Sequence, residues 1–175
     1  MNIKKEDKKA KKKNAFDAAC DYLSISERSI RETTDKLLEK GYSEAEAAEA
    51  VQKLKDAGIL DDHGYALRYI EYAIGKGRGM RRIKNELRQK GIDAFEIEDI
   101  MFELSESGVI GKDSGRDRAL EQAMKIVKGK EIDEKLIAKV ARRLQTQGYE
   151  GDEVYFVLGR LRNMAKEEPT DGEPV

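Results

Sequence analysis

Apolar residues recur along this chain at steps of three and four. Ile30, Thr34 and Leu37 form one such run, and Ala47, Ala50, Val51 and Leu54 form another. That spacing collects them on one face of an α-helix, which turns once in 3.6 residues. No window alternates apolar and polar residues over the length of a strand. Both prolines, Pro169 and Pro174, stand at the end of the chain, so nothing between Ala15 and Ala165 carries the residue most hostile to helix interiors. Glycines provide the punctuation instead. Gly41, Gly58, Gly91, Gly108 and Gly148 each follow a stretch of helical spacing, where a left-handed residue closes a helix. Ser43 with Glu46 predicts a capping box at the start of the helix after Gly41.

Superposing segments on their Lys-Gly or Gln-Gly step reveals an internal repeat over residues 29–60, 79–110 and 136–165. Ile30, Met80 and Ile137 align, as do Thr33, Ile83 and Val140, then Leu37, Leu87 and Leu144, then Tyr42, Ile92 and Tyr149. In the next helix Ala47, Ile97 and Val154 align, followed by Ala50, Ile100 and Val157 and by Leu54, Leu104 and Leu161. A further amphipathic segment precedes each copy, over residues 15–25, 62–74 and 114–128. The predicted fold is therefore all-α, a tandem array of three three-helix repeats over residues 15–60, 61–110 and 111–165, elongated or curved. Helices this short are only about 15–25 Å long, so each unit has a small core and gains by stacking. Such an array presents a long binding surface rather than a pocket. The Lys-rich residues 1–14 and the acidic residues 166–175 bracket it as tails expected to be disordered.

Leu60-Asp61-Asp62 precedes a helix, and Gly79, Ile83, Glu86-Leu87 and Lys90-Gly91-Ile92 follow within the tandem three-helix repeats. The first repeat carries Tyr22-Leu23, Arg28-Ser29, Lys36-Leu37-Leu38-Glu39-Lys40-Gly41 and Ala57-Gly58-Ile59-Leu60. In this order and spacing these residues resemble the bacterial regulatory protein RecX family. The resemblance covers residues 15–165 and is most specific from Arg28 to Gly91. Met80 stands where the family often has proline, and Thr33-Thr34 replaces its Glu-Leu character. The resemblance implies a non-enzymatic negative modulator of the RecA recombinase. Such a protein binds in the groove of the RecA filament on single-stranded DNA and inhibits ATP hydrolysis, strand exchange and co-protease activity. It thereby ties the chain to recombination, DNA repair and the SOS response.

Charge distribution then changes the picture that composition gives. Charged residues make up 39% of the 175, against about 25% in an ordinary domain, yet net charge is only −1. From Lys76 to Lys90 there are seven bases and one acid, Glu86, and from Asp93 to Glu106 six acids and no base. Lys76, Arg78, Arg81, Arg82, Lys84 and Arg88 are the contact candidates of the second repeat, and Lys139, Arg142 and Arg143 those of the third. Two readings stand: solvated faces neutralised by the neighbouring acidic helix, or a surface for acidic RecA groups or DNA phosphates. A helical nucleic-acid-binding module and a general helical adaptor remain the rival functions.

Other features read as structural. Gly75-Lys76-Gly77-Arg78-Gly79 lacks the strand and the Lys-Ser/Thr ending of a phosphate loop, and is expected to be a flexible joint letting repeats one and two bend against repeat three. Asp61 and Asp62 are expected to cap the helix they precede. Tyr65, Tyr69 and Tyr72 share a helical stripe, for packing between repeats or for stacking on bases. His63 has no second ligand and reads as an exposed helix-start residue, and Cys20 as a half-buried apolar one. No nucleophile–base arrangement, metal cluster or cofactor motif can be assembled. With one cysteine, and no apolar run of membrane or signal length, a cytoplasmic, monomeric protein is expected.

Overall fold

The computed structural model describes residues 13–111 and 114–167. Among the described residues there are nine helices and no strand, as the apolar spacing predicts. They are α1 (Ala15–Leu23), α2 (Ile30–Glu39), α3 (Glu44–Asp56), α4 (Asp62–Gly75), α5 (Met80–Gln89), α6 (Ala94–Glu106), α7 (Ser114–Val127), α8 (Glu134–Gln147) and α9 (Gly151–Glu167). The two tails fall largely outside the described residues. Of their inner ends, Asn14 accepts the Asp17 N–H at 2.8 Å to cap α1, and the Lys13 carbonyl accepts the Tyr42 hydroxyl at 2.7 Å. Lys166 lies in α9.

Local chemistry sets the helix ends. Ser29–Glu32 and Ser43–Glu46 both close capping boxes, in which each side chain satisfies a backbone N–H that the first turn leaves orphaned. The five glycines predicted as stops all have positive φ, between 68° at Gly58 and 89° at Gly91. A side chain there would crowd the following carbonyl, so glycine ends the helix at least strain.

The chain divides between Asp62 and His63 into two compact bodies. In the first, α1, α2 and α3 pack on one another around Ala19, Leu37, Ala47 and Leu54. The second holds two clusters, one from α4, α5 and α6 around Ile70, Ile83, Leu87, Ile97 and Ile100, the other from α7, α8 and α9 around Ala123, Val140, Leu144, Val157 and Leu161. All the aligned positions from Thr33, Ile83 and Val140 onward are buried. Thr33 keeps the branched shape of its counterparts and donates its hydroxyl to the Ser29 carbonyl at 2.9 Å, so its polar atom enters the interior satisfied. Cys20 packs half-buried against the first cluster.

Asp62 does cap a helix start, but that of α2: its Oδ1 accepts the Ile30 N–H at 2.8 Å. Burial outweighs this bond and raises the Asp62 pKa. Tyr149 presents the opposite economy. It is 1% exposed, its hydroxyl has no partner among the described residues, and burial pushes its pKa up to about 12. Leaving a buried hydroxyl unpaired costs about 1–3 kcal/mol. Tyr149→Phe is therefore expected to raise stability, on the order of 1 kcal/mol, in chemical denaturation. A loss of stability would show that the hydroxyl is satisfied after all.

Candidate functional site

The glycine-rich loop after α4 is where the structure departs most from the sequence reading. Gly77, with φ of 73°, closes α4, and a Cβ there would sit 2.6 Å from the Gln122 side chain of α7. Gly79 then opens α5 against the end of α8. Its N–H donates to the Gln147 carbonyl at 2.8 Å, and the Arg81 N–H donates to the Gly148 carbonyl at 3.2 Å. The Arg81 Nη2 adds a bond to the Gln145 carbonyl at 3.2 Å. The unsatisfied carbonyls at one helix's C-terminus thus meet the unsatisfied N–H groups at another's N-terminus, with their partial charges opposed. A Cβ on Gly79 would fall inside contact distance of the Gly148 backbone, so only glycine allows this approach. The segment is a packed junction and not a flexible joint.

This junction sorts the nine basic candidates. Arg78, half-buried, and Arg82, exposed, both pair with Glu86, at 2.9 and 2.8 Å, and Tyr69 donates to the same carboxylate at 2.8 Å. Burial pushes the Glu86 carboxyl up, but the bonds from Arg82 and Tyr69 and the two guanidinium charges outweigh it and hold the pKa below its usual value. Arg78 also lies over the rings of Tyr69 and Tyr72, Lys76 over Tyr72, and Lys90 over Tyr65 and Tyr69. The tyrosine stripe thus packs against cations of its own helix triplet. Lys84 pairs with Glu98 of the acidic helix at 2.8 Å, a contact of the kind the neutralisation reading requires.

Arg81, Arg88, Lys139, Arg142 and Arg143 are exposed, and none of them has a carboxylate within ion-pair range among the described residues. Arg88 bonds the Asn85 amide oxygen, and Arg142 the Ala138 carbonyl of its own helix. Lys139, Arg142, Arg143 and Thr146, with Ile126, line a shallow depression of about 350 Å³. Thr146 also lines a second, of about 340 Å³, with Arg81, Arg82, Asn85, Glu86, Gln89, Gln145 and Gly148; Glu86 there is the carboxylate already paired with Arg78 and Arg82. The junction thereby joins the basic residues of α5 and α8 into one continuous face. Gln145 and Thr146 went unnoticed in the sequence because nothing in a repeat alignment reports which repeats touch.

Guanidinium groups held this way can take phosphate or carboxylate oxygens two at a time. Elsewhere, His63 bonds Glu103 at 3.0 Å. Among the described residues, no group of three His, Cys, Asp or Glu side chains could hold a metal, and no helix is long and apolar enough to cross a membrane.

Comparison with known proteins agrees with this architecture. The family model of the first three-helix domain of RecX matches residues 15–54, and that of the second matches residues 61–101. The regulatory protein RecX of Vibrio parahaemolyticus is 34% identical over 149 residues, covering 81% of this chain and 88% of that protein. The RecX of Clostridium perfringens strain 13 is 32% identical over 163 residues, covering 92% and 73%. A crystal structure of RecX from Lactobacillus salivarius superposes with a TM-score of 0.69 at 25% identity, over 85% of this chain and 95% of that one. Sequence identity across most of both chains, together with a shared helical architecture, places this chain in the RecX family of regulatory proteins.

Proposed function

We propose that this chain is a cytoplasmic negative regulator of the RecA recombinase. It binds in the groove of the RecA filament on single-stranded DNA and depresses ATP hydrolysis, strand exchange and co-protease activity by binding rather than by turnover. Membership in a family of regulatory proteins supports this reading. The observation that carries it is the face of Arg81, Lys139, Arg142 and Arg143, which have no carboxylate partner among the described residues, on both sides of a packed junction. Cations held in fixed positions and unneutralised from within are available to the phosphates or acidic side chains of a filament.

Adding the purified chain to RecA, single-stranded DNA and ATP should slow ATP hydrolysis at or below one chain per RecA. No change in rate across that range would reject the proposal. Binding to labelled single-stranded DNA without RecA, at nanomolar concentration and physiological salt, would assign the same face to a nucleic-acid module instead.

A further inference from the structure

The acidic helix α6 carries a second surface of opposite character. Its core face is Ile97, Ile100 and Leu104. On the other side stand Phe95, 82% exposed, and Phe102, 68% exposed, seven residues and hence two turns apart. Asp99 lies between them and Glu106 one turn beyond, with Glu98 at the edge. Glu98 holds Lys84, whereas Asp99 and Glu106 have no cation in range among the described residues.

The repeat supplies an internal control on what the scaffold needs. The positions aligned with Phe95 and Phe102 are Ala45 and Gln52 in the first copy and Asp152 and Gly159 in the third. Two exposed phenyl rings are thus not a requirement of the three-helix unit. They add apolar surface to the solvent face of a helix that is otherwise acidic, which folding alone does not reward.

We propose that this stripe is a docking surface for a basic protein surface bearing an apolar recess, which on the reading above belongs to a RecA protomer of the filament. Carboxylates on both sides of the rings repel nucleic-acid phosphates. They favour arginine or lysine, whose head groups can pair with Asp99 or Glu106 while lying over a phenyl face. The stripe and the basic face then grip chemically different parts of one filament, which fixes orientation better than either alone.

The test uses the full chain with two double variants, Phe95→Ser with Phe102→Ser, and Asp99→Lys with Glu106→Lys. All four sites are exposed, so helicity should be unchanged. Each variant should need about tenfold more protein for half-inhibition of the RecA ATPase and should sediment less with preformed filaments. Binding to single-stranded DNA alone should stay the same. A wild-type chain that neither inhibits nor sediments with filaments overturns the filament reading, and this inference with it. A wild-type chain that inhibits, with both variants within twofold of it, overturns this inference alone. Concentration-dependent dimers of the wild-type chain that the variants abolish would assign the stripe to a second copy, and would equally overturn it.

Discussion

Gly148→Ala should destabilise the second body by roughly 2–5 kcal/mol, from left-handed strain and overpacking together. Gly148 combines a φ of 87° with a neighbour that cannot move out of the way. A Cβ there would stand 2.6 Å from the backbone nitrogen of Arg82 and inside contact distance of its Cβ. Gly58 separates the two causes. Its φ is 68°, but nothing lies within 4 Å of its would-be Cβ, so Gly58→Ala should pay only the conformational cost of about 1–2 kcal/mol. Gly79 isolates the other cause, since its φ of −77° suits any residue while its Cβ would strike the Gly148 backbone. Thermal unfolding should rank Gly148→Ala lowest, with Tm reduced by on the order of 10 °C. If Gly148→Ala melts with Gly58→Ala, the junction yields to a methyl group and is not a rigid contact. Because the same junction holds Arg81 beside Gln145, parting α5 from α8 should also split the basic face.

The sequence made the units legible and their assembly illegible, for a physical reason. Ile83, Leu87, Ile97 and Ile100 were found because a helix that buries one face must repeat apolar residues at its own period. The stop glycines were found because chirality penalises other residues there. Contact between repeats has no period. Between the second and third repeats it includes two glycines, Gly79 and Gly148, and backbone hydrogen bonds that any residue with an N–H could donate. A clue was available at Gly79: the first repeat opens its corresponding helix with Ser29, a capping side chain, and the second gives up that bond. A glycine where a cap is expected marks a place where another backbone comes close. The same blindness affected the charges. Seven bases in fifteen residues give a count but not a partition, and Glu86 alone pairs with two of them.

That partition makes the charge-reversal experiment specific. Arg81→Glu, Arg142→Glu and Arg143→Glu together should raise the concentration needed to inhibit RecA by at least about a hundredfold. The estimate takes roughly 1 kcal/mol or more from each reversed contact, at 1.4 kcal/mol for each factor of ten. All three side chains are exposed and outside any ion pair among the described residues, so circular dichroism should change little; Arg81→Glu also gives up the bond to the Gln145 carbonyl, so Arg142→Glu with Arg143→Glu alone serves as the variant that leaves the junction intact. Lys53 and Lys125 provide the control, since both are exposed and pair with acids of their own helices, Glu49 and Glu121. Reversing them alters net charge without touching the basic face, and inhibition should survive. If the face meets phosphates, the reversed chain should also lose salt dependence, by about 0.7 in the log–log slope for each phosphate contact removed. If it meets acidic side chains of the filament, inhibition should fall while any affinity for bare single-stranded DNA stays as it was. Full inhibition by the triple variant would show that the face serves only to keep the protein in solution, and would move the search for the filament contact to the other surfaces of the helix triplets.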